Sequence, residues 1–188
     1  MTLPIIIKKE ADNHLPRRYY YYRRGTVIRV NFGTNLGSEF SNIHFAIVLD
    51  KRDSPNKKTL TVLPLTSKQR SNRFSLGHEV FSQTVGLLKV QMNLLKKRIE
   101  EAEQALKNGT LTDKEYKDLR KDFNDLMRVL DTYKAYDKNS YVRLSDITTI
   151  SKLRIERINK YDPSGRIRLS SQQMALISHK LMQLFLNK

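Results

Sequence analysis

A two-part heptad pattern between residues 81 and 133 constrains the fold of this chain more than any other feature. Apolar residues recur at alternating spacings of four and three in two runs: Phe81, Val85, Leu88, Met92, Leu95, Ile99, Ala102 and Leu106, then Tyr116, Leu119, Phe123, Leu126, Leu130 and Tyr133. This spacing predicts helices with a coiled-coil-like apolar seam. Asn108 and Gly109 interrupt the pattern, and the residues from Thr112 to Glu115 form a capping box that begins a second helix. The short connection predicts an antiparallel helical hairpin within residues 81–138.

The residues on both sides of this hairpin follow a β pattern instead. Strands are predicted for residues 26–32, 44–49, 59–66, 74–80, 141–150, 152–158 and 166–169, from alternating or continuous apolar residues bounded by turn residues. Ser170 and Gln173 then form the capping box of a C-terminal helix. The predicted fold class is α+β, with a small β module that the hairpin interrupts and a C-terminal helix that closes it.

The surplus of positive charge lies outside the hairpin. The chain has 35 Lys and Arg against 19 Asp and Glu, but residues 81–138 hold 12 basic and 10 acidic residues, which leaves 23 and 9 for the rest. Because Lys and Arg release condensed counterions when they bind phosphates, this surplus favours a nucleic acid partner. Solubility, or attraction to anionic lipid, is the alternative.

The sequence lacks cysteine and any long apolar segment, and both features restrict the class of protein. No cysteine is present, so disulfides and thiolate chemistry are excluded. No apolar run reaches the ~18 residues that a transmembrane helix needs, and the N-terminus does not follow the order of a secretory signal. We therefore expect a cytoplasmic protein with no membrane partner.

Residues 1–22 are expected to form an N-terminal arm ahead of a domain over residues 23–187. The arm contains Arg17 and Arg18, followed by four tyrosines over residues 19–22. Basic residues interleaved with aromatic rings can hold phosphates and stack on bases. The same tyrosines could equally form a first edge strand on the core, and the sequence leaves both alternatives open.

Five short segments, taken in order, resemble one known family. They are RGTVIRVNFG at residues 24–33, NLGSE at 35–39, FAIVL at 45–49, VLPLTS at 62–67 and YVRLSDITTI at 141–150. Together they resemble the MazF/PemK family of toxins from type II toxin–antitoxin systems, over about residues 23–80 and 139–187, with the hairpin as an insertion. The resemblance implies an SH3-like β-barrel that forms a homodimer and binds a cognate antitoxin. It also implies cleavage of single-stranded RNA without a metal or other cofactor, which leaves a 2′,3′-cyclic phosphate and a 5′-hydroxyl.

The resemblance assigns catalytic roles to two positions. The family usually has Arg-Pro where this chain has His44 and Phe45, and that Arg is its main catalytic residue. Because an imidazole exchanges protons near neutral pH more readily than a guanidinium, we hypothesise that His44 is the general acid or base. The alternative is a histidine that only completes a hydrogen-bond network at a strand end. Thr66 matches the second catalytic position, where a hydroxyl donates to the phosphate, although it could simply end a strand.

The same comparison gives eight candidate RNA-binding residues: Arg24, Arg29, Ser38, Glu39, Ser67, Lys68, Arg143 and Ser145. Arg143 matches an Arg that stands beside a catalytic Asp in some family members. Ser145 occupies the place of that Asp, so the chain is expected to lack one family carboxylate. No metal site is expected, because the four histidines are scattered at positions 14, 44, 78 and 179.

Three functions remain open at this point. The first is the toxin ribonuclease. The second is a non-catalytic toxin that acts by protein contact, as a relative of this barrel does on DNA gyrase, and the third is an RNA-binding regulator. The nearly neutral hairpin is not expected to bind RNA; it could dock the antitoxin, a second subunit or the ribosome, or it could buttress the barrel.

Overall fold

The structure, a computed structural model, describes residues 18–34, 40–134 and 136–186. These residues divide into two compact units. The sheet unit comprises the described residues within Met1–Val80, Asn139–Glu156 and Ser164–Lys188, and the helical unit comprises those within Phe81–Lys138 and Arg157–Pro163. Most of the expected N-terminal arm, and the loop that carries Ser38 and Glu39, lie outside the described residues.

The sheet unit contains six antiparallel strands: β1 (Val27–Asn31), β2 (Ile43–Val48), β3 (Thr59–Thr66), β4 (Phe74–Gly77), β5 (Ser140–Val142) and β6 (Thr148–Ser151). The strand order is β1-β2-β3-β5-β4, and β6 also pairs with β3. The expected mixture of strands and helices is confirmed. Within the described residues, however, the ladders do not close into a barrel.

Two of the predicted strands are wrong. Residues Lys152–Arg154 form a single 3₁₀ turn, and the segment after this turn contributes only an isolated bridge between Ile155 and Val30. The segment 166–169 likewise contributes only the bridge between Arg168 and Thr26. Both segments do bond to the first strand, since the Val27 N–H donates to the Ile167 carbonyl and the Glu156 N–H to the Arg29 carbonyl. These contacts are too few to form a ladder, because each segment runs beside β1 for only one or two residues.

The apolar core of the sheet unit lies against one face of the strands. Alternate residues of each strand point to this face, and they form one buried cluster: Ile28, Val30, Phe32, Ala46, Val48, Leu60, Val62 and Ile150. Half-buried Tyr22, Phe40 and Ile155 pack against it. All of residues 45–49 are buried, as predicted for a strand that is covered on both faces.

Two long helices, α1 (Glu79–Lys107) and α2 (Asp113–Lys134), come before the C-terminal helix α3 (Ser171–Phe185) in the chain. Ser170 caps α3 as predicted, since its hydroxyl accepts from the Gln173 N–H at 3.1 Å and its own N–H donates to the Gln173 side chain at 2.8 Å. Met174 and Ile177 form the buried face of α3. Gly25 has φ of +84°, and a Cβ there would lie 3.1 Å from Met174 Cγ, so the helix packs where only glycine fits.

The helical unit is built on α1 and α2. The first two residues of α1, Glu79 and Val80, belong to the sheet unit, because the helical unit begins at Phe81. Several residues of the predicted seams are buried: Leu88, Leu95, Ile99, Ala102, Leu126 and Tyr133. The predicted capping box is present, because the Glu115 carboxylate accepts from the Thr112 N–H at 3.0 Å and the Thr112 hydroxyl accepts from the Glu115 N–H at 3.3 Å. The Tyr116 hydroxyl donates to Glu103 at 2.9 Å, which joins the two helices on either side of their connection. No helix among the described residues is long and apolar enough to cross a membrane.

The helical unit also includes residues 157–163, which the sequence does not link to residues 81–138. The buried Asp162 carboxylate explains this grouping. It accepts from the Tyr133 hydroxyl at 2.7 Å and from the Ile158 N–H at 2.7 Å. Asn159 adds a side-chain bond to the Asp125 carbonyl at 2.7 Å. Burial of a carboxylate is tolerated only with such partners.

Substituting Tyr133→Phe should therefore destabilise the helical unit. Asp162 would lose a hydrogen bond while staying buried, and a bond to a charged group contributes roughly 1.5–3 kcal/mol. Denaturant unfolding followed by helix ellipticity measures the change in the free energy of unfolding. Tyr116→Phe is the matched control, because its bond to Glu103 is exposed and should matter much less. Equal effects of the two substitutions would contradict this assignment.

Candidate active site

His44 lies near the start of β2, at the rim of the apolar core. It pairs with Val30 across the ladder, and alternation places it on the same face as Ala46 and Val48 of the core cluster. The side chain is half-buried. Its imidazole lies 4.3 Å from the Phe40 ring, centroid to centroid, with the planes tilted by 44°. His44 thus sits where the apolar interior ends, with one aromatic neighbour.

The surroundings of His44 favour its neutral form. Burial is the main cause that lowers the pKa of His44, and the positive charge of Arg143 lowers it further, against a hydrogen bond to the Ser41 backbone that raises it. A histidine with a pKa below ~6.5 is mostly uncharged at neutral pH. In that state one ring nitrogen can accept a proton.

Arg143 reaches the same place from the other side of the sheet unit. It follows β5, and its N–H donates to the Pro64 carbonyl at 3.0 Å, which ties it to β3. Its guanidinium carbon lies 4.7 Å from the Phe40 ring centroid, within range of a cation–π contact. Phe40 therefore contacts both the His44 imidazole and the Arg143 guanidinium. Phe32 supports Phe40 edge-on, at 5.1 Å between centroids.

A carboxylate is present at this site, contrary to the expectation from Ser145. Residues Leu144–Asp146 form one 3₁₀ turn, which returns residue 146 to the side of residue 143. Asp146 forms an ion pair with Arg143 there. The Ser145 hydroxyl donates to the other Asp146 oxygen at 2.9 Å. Asp146, one residue after Ser145, thus places a carboxylate beside Arg143.

Thr66 ends β3, with exposed Ser67 and Lys68 after it. The Thr66 hydroxyl accepts from the Lys68 N–H at 3.2 Å. The β2–β3 ladder has its last pair at Ala46 and Pro64, and beyond it β3 pairs with β5, where Thr66 lies opposite Tyr141. Among the described residues no ladder pair joins His44 to Thr66.

The loop after Thr66 adds further positive charge beside Arg143. Arg73 donates to the Lys68 carbonyl at 2.6 Å. Burial is the main cause that lowers the pKa of Arg73, and the charges of Arg143 and Arg70 lower it further, so the Arg73 guanidinium lies close enough to each of those two charges to be repelled. Only one carboxylate, Asp146, acts on Arg73 in the opposite direction. A cluster of like charges with so little compensation is suited to an anionic ligand.

The structure places Arg24 and Arg29 elsewhere. Arg24 precedes β1, at the opposite end of the strands from His44, where its guanidinium donates to the Leu49 carbonyl and, at 2.9 Å, to the Ser178 hydroxyl. Arg29 lies on the face of β1 opposite to Val30, where it pairs with Glu156 at 3.6 Å. Both guanidinium groups are therefore bound to other groups of the protein. Neither Arg24 nor Arg29 lies with Phe40 and Arg143 beside His44.

Three residues at this site are not identified by the sequence pattern: Phe40, Arg73 and Asp146. Phe40 stands directly after the segment that carries Ser38 and Glu39, and nothing in the sequence around it indicates that it contacts residue 143. Arg73 is one of several basic residues in a polar loop. Asp146 could have been found from the sequence, because it stands three residues after Arg143 and residues three apart meet in a helical turn.

No group of three or more potential metal ligands occurs among residues 18–34, 40–134 and 136–186.

Comparison with known proteins identifies the family. The model of the PemK-like, MazF-like toxins of type II toxin–antitoxin systems matches residues 23–127. The match covers the strands β1 to β4 and continues through α1 into α2, whereas residues 139–187 lie outside it. No curated protein matches the chain. The matched range is more than half of the sequence, and the chain belongs to the PemK-like, MazF-like family of toxins of type II toxin–antitoxin systems.

Proposed function

We propose that this protein is a toxin endoribonuclease that cleaves single-stranded RNA by attack of a ribose 2′-hydroxyl on the adjacent phosphate. The observation that carries the proposal is the half-buried His44, whose pKa is lowered by burial and by Arg143. A neutral imidazole beside a group of guanidinium side chains that outnumber their one carboxylate, Asp146, combines a proton acceptor with a phosphate-binding surface. Family membership supports the same activity and implies an antitoxin as a partner.

In the proposed reaction, His44 accepts the proton of the 2′-hydroxyl as its oxygen bonds to phosphorus. The bond from phosphorus to the 5′-oxygen then breaks, and the imidazolium returns the proton to that oxygen. The products are a 2′,3′-cyclic phosphate and a 5′-hydroxyl, so no proton or electron is left unassigned. A metal ion is not needed in this sequence of steps.

The charge that develops on the phosphate is stabilised by donors around it. Arg143 supplies a guanidinium that its ion pair with Asp146 holds in one orientation. The Thr66 hydroxyl and the side chains of Ser67 and Lys68 donate from the end of β3. Ser145 acts through Asp146 and orients the carboxylate. Ser38 and Glu39, which precede Phe40 in the chain, are proposed to complete the RNA groove.

The remaining proposals follow from the family. The sheet unit would belong to an SH3-like barrel, the functional form would be a homodimer, and residues 81–138 would be an antiparallel hairpin inserted into that domain. The hairpin, with its mixed charges, is suited to a protein partner rather than to RNA.

Incubation of the purified protein with a long unstructured RNA in the presence of EDTA tests the proposed activity. We expect discrete fragments whose new ends carry a 5′-hydroxyl and a 2′,3′-cyclic phosphate. RNA that stays intact would contradict the proposal and favour a toxin that acts by protein contact or a regulator that only binds RNA. Fragments with 5′-phosphate ends would indicate different chemistry.

The substitution Arg143→Gln should raise the pKa of His44 towards ~6.5. It removes a positive charge that lowers this pKa and leaves Asp146 unpaired nearby, and both changes favour the imidazolium. NMR titration of the imidazole carbon and proton signals measures the shift directly. Because burial is the larger cause, the pKa should stay below that of a free histidine. Lys51→Gln removes an exposed charge beyond the other end of β2 and should leave the His44 pKa unchanged; a lowered pKa in Arg143→Gln would contradict the assignment.

A further inference from the structure

The described end of the N-terminal arm is fixed to the sheet unit, although Tyr19 to Tyr22 form no strand. The Tyr19 N–H donates to the Pro55 carbonyl at 2.8 Å. The Tyr22 N–H donates to the Asp53 carboxylate at 2.8 Å, and the Tyr22 ring packs against the apolar core. Two hydrogen bonds of backbone N–H groups and the half-buried ring of Tyr22 thus hold this segment on the loop between β2 and β3.

The loop that receives the arm is itself anchored in the interior. The Asp53 carboxylate pairs with Lys152 at 2.8 Å, and the two side chains are 0% and 2% exposed. Lys152 also donates to the Ser54 carbonyl at 3.0 Å. A buried charge pair with additional hydrogen bonds fixes the local geometry. The tyrosine segment therefore rests on a rigid base.

Two aromatic rings project from this base into solvent. Tyr20 is 77% exposed and Tyr21 is 57% exposed. The ring of Tyr20 lies 6.2 Å from that of half-buried Tyr22, centroid to centroid, which limits its freedom on one side. Two adjacent exposed rings, one of them in contact with Tyr22, offer flat surfaces on which bases can stack.

Exposed basic side chains surround these rings. Arg18 and Arg23 flank them in the chain, and Lys51 and Arg52 lie on the loop to which the arm is bound. None of these four side chains has an ion-pair partner in the part of the chain that the structure describes. The carboxylates of the same loop are already occupied, Asp50 by Lys57 and Asp53 by Lys152. The local field is therefore positive.

We propose that Tyr20 and Tyr21 form a stacking platform for the bases of single-stranded RNA, with Arg18, Arg23, Lys51 and Arg52 holding its phosphates. Aromatic rings on a positive surface are the combination by which proteins bind single strands without strict sequence preference. The proposal rests on the proposed function for the choice of RNA as the ligand.

This platform is separate from the site around His44. It lies at the end of the strands where β1 begins and β2 ends, whereas His44 lies at the start of β2. The five steps along the chain from His44 to Leu49 alone span about 16.5 Å at ~3.3 Å per residue. The platform would therefore hold nucleotides outside the cleaved bond and favour long substrates over short ones.

The test compares the binding of labelled, uncleavable 2′-O-methyl RNAs of ~4 and ~16 nucleotides, the range of site sizes for single domains that bind single strands. Fluorescence anisotropy gives the Kd for the wild type and for three double variants at positions 20 and 21, in which both tyrosines become Ala, Leu or Phe. We expect the Ala and Leu variants to bind the longer RNA at least ~10-fold more weakly, since stacking contributes roughly 1–3 kcal/mol per base. The Phe variant should keep the wild-type Kd. Both side chains are exposed, so unchanged unfolding midpoints would confirm that all variants fold.

Three results would overturn the platform: wild-type affinity in the Ala variant, wild-type affinity in the Leu variant, or a Phe variant as weak as the Ala variant. The second result would indicate an apolar protein contact, and the third a contact made by the tyrosine hydroxyl.

The contribution of charge is tested by Arg23→Gln. This substitution should make the slope of log K against log salt concentration less steep by about 0.7; an unchanged slope would count against the phosphate contact. The comparison is independent of catalysis, because wild-type protein that leaves ordinary RNA intact refutes the proposed nuclease while these Kd values still decide the platform.

Discussion

Replacing His44 with alanine is expected to lower the rate of RNA cleavage by a factor of about 10²–10⁴, the usual contribution of a general acid–base group. The His44 imidazole contacts Phe40 at the rim of the core, and Arg143 cannot replace it as a base, because a protonated guanidinium has no lone pair with which to accept a proton. RNA binding should change little, since the phosphate contacts come from other residues. Single-turnover cleavage of a labelled RNA measures the effect.

The control for this substitution is His179→Ala. His179 lies on the exposed side of α3, so its removal should leave the rate unchanged. If the His44→Ala protein folds and cleaves RNA at the wild-type rate, His44 only completes the rim of the core and the proposed mechanism is wrong. Loss of cleavage together with loss of the folded state would be resolved by His44→Gln, which keeps polarity and size but cannot act as a base.

The second large effect is expected from Lys152→Met, which should destabilise the sheet unit by about 3–5 kcal/mol. Lys152 is the only partner of opposite charge that the described residues offer to Asp53, and both side chains are buried. Methionine fills a similar volume but leaves the Asp53 carboxylate buried with only backbone donors from Tyr22 and Ser54. Denaturant unfolding measures the loss.

Two companion variants separate this pair from a general effect of losing a lysine. Lys51→Met removes an exposed lysine from the same region and should change the free energy of unfolding little. The double variant Lys152→Met with Asp53→Asn should recover part of the loss, because the uncompensated charge is gone. A Lys152→Met protein as stable as the wild type would mean that the pair contributes nothing to stability.

The local parts of the fold are predictable from the sequence. Helix starts follow capping residues, and the capping boxes at Thr112 and Ser170 appear where the sequence indicates them. The seams of α1 and α2 are buried at many of the predicted heptad positions. These features depend on residues three or four apart, which a helix brings together by its own geometry.

The parts that the sequence does not predict depend on distant partners. Arg143 contacts Phe40 and acts on His44 although it lies about a hundred residues after both of them in the chain. No local spacing in the sequence indicates this contact. Arg24 and Arg29 resemble binding residues in the sequence, but Ser178 and Glu156 engage them from far along the chain. Lys152 is counted among the surplus charges by composition alone, yet it is buried against Asp53.

A comparison by position in the sequence also misses the carboxylate beside Arg143. A comparison by position finds Ser145 where the family has Asp and predicts a missing acid. In three dimensions the 3₁₀ turn of residues 144–146 brings Asp146 to Arg143. A comparison by position does not detect this ion pair, because Asp146 stands one residue further along the chain.

The NMR titration of His44 with and without a bound uncleavable 2′-O-methyl RNA tests the central claim most directly, because it reports whether the imidazole and a phosphate share one site. In the free protein the pKa of His44 should lie below ~6.5, and in the complex it should rise, since a nearby phosphate favours the imidazolium. A His44 pKa that RNA binding leaves unchanged would place the phosphate elsewhere and contradict the proposed enzyme.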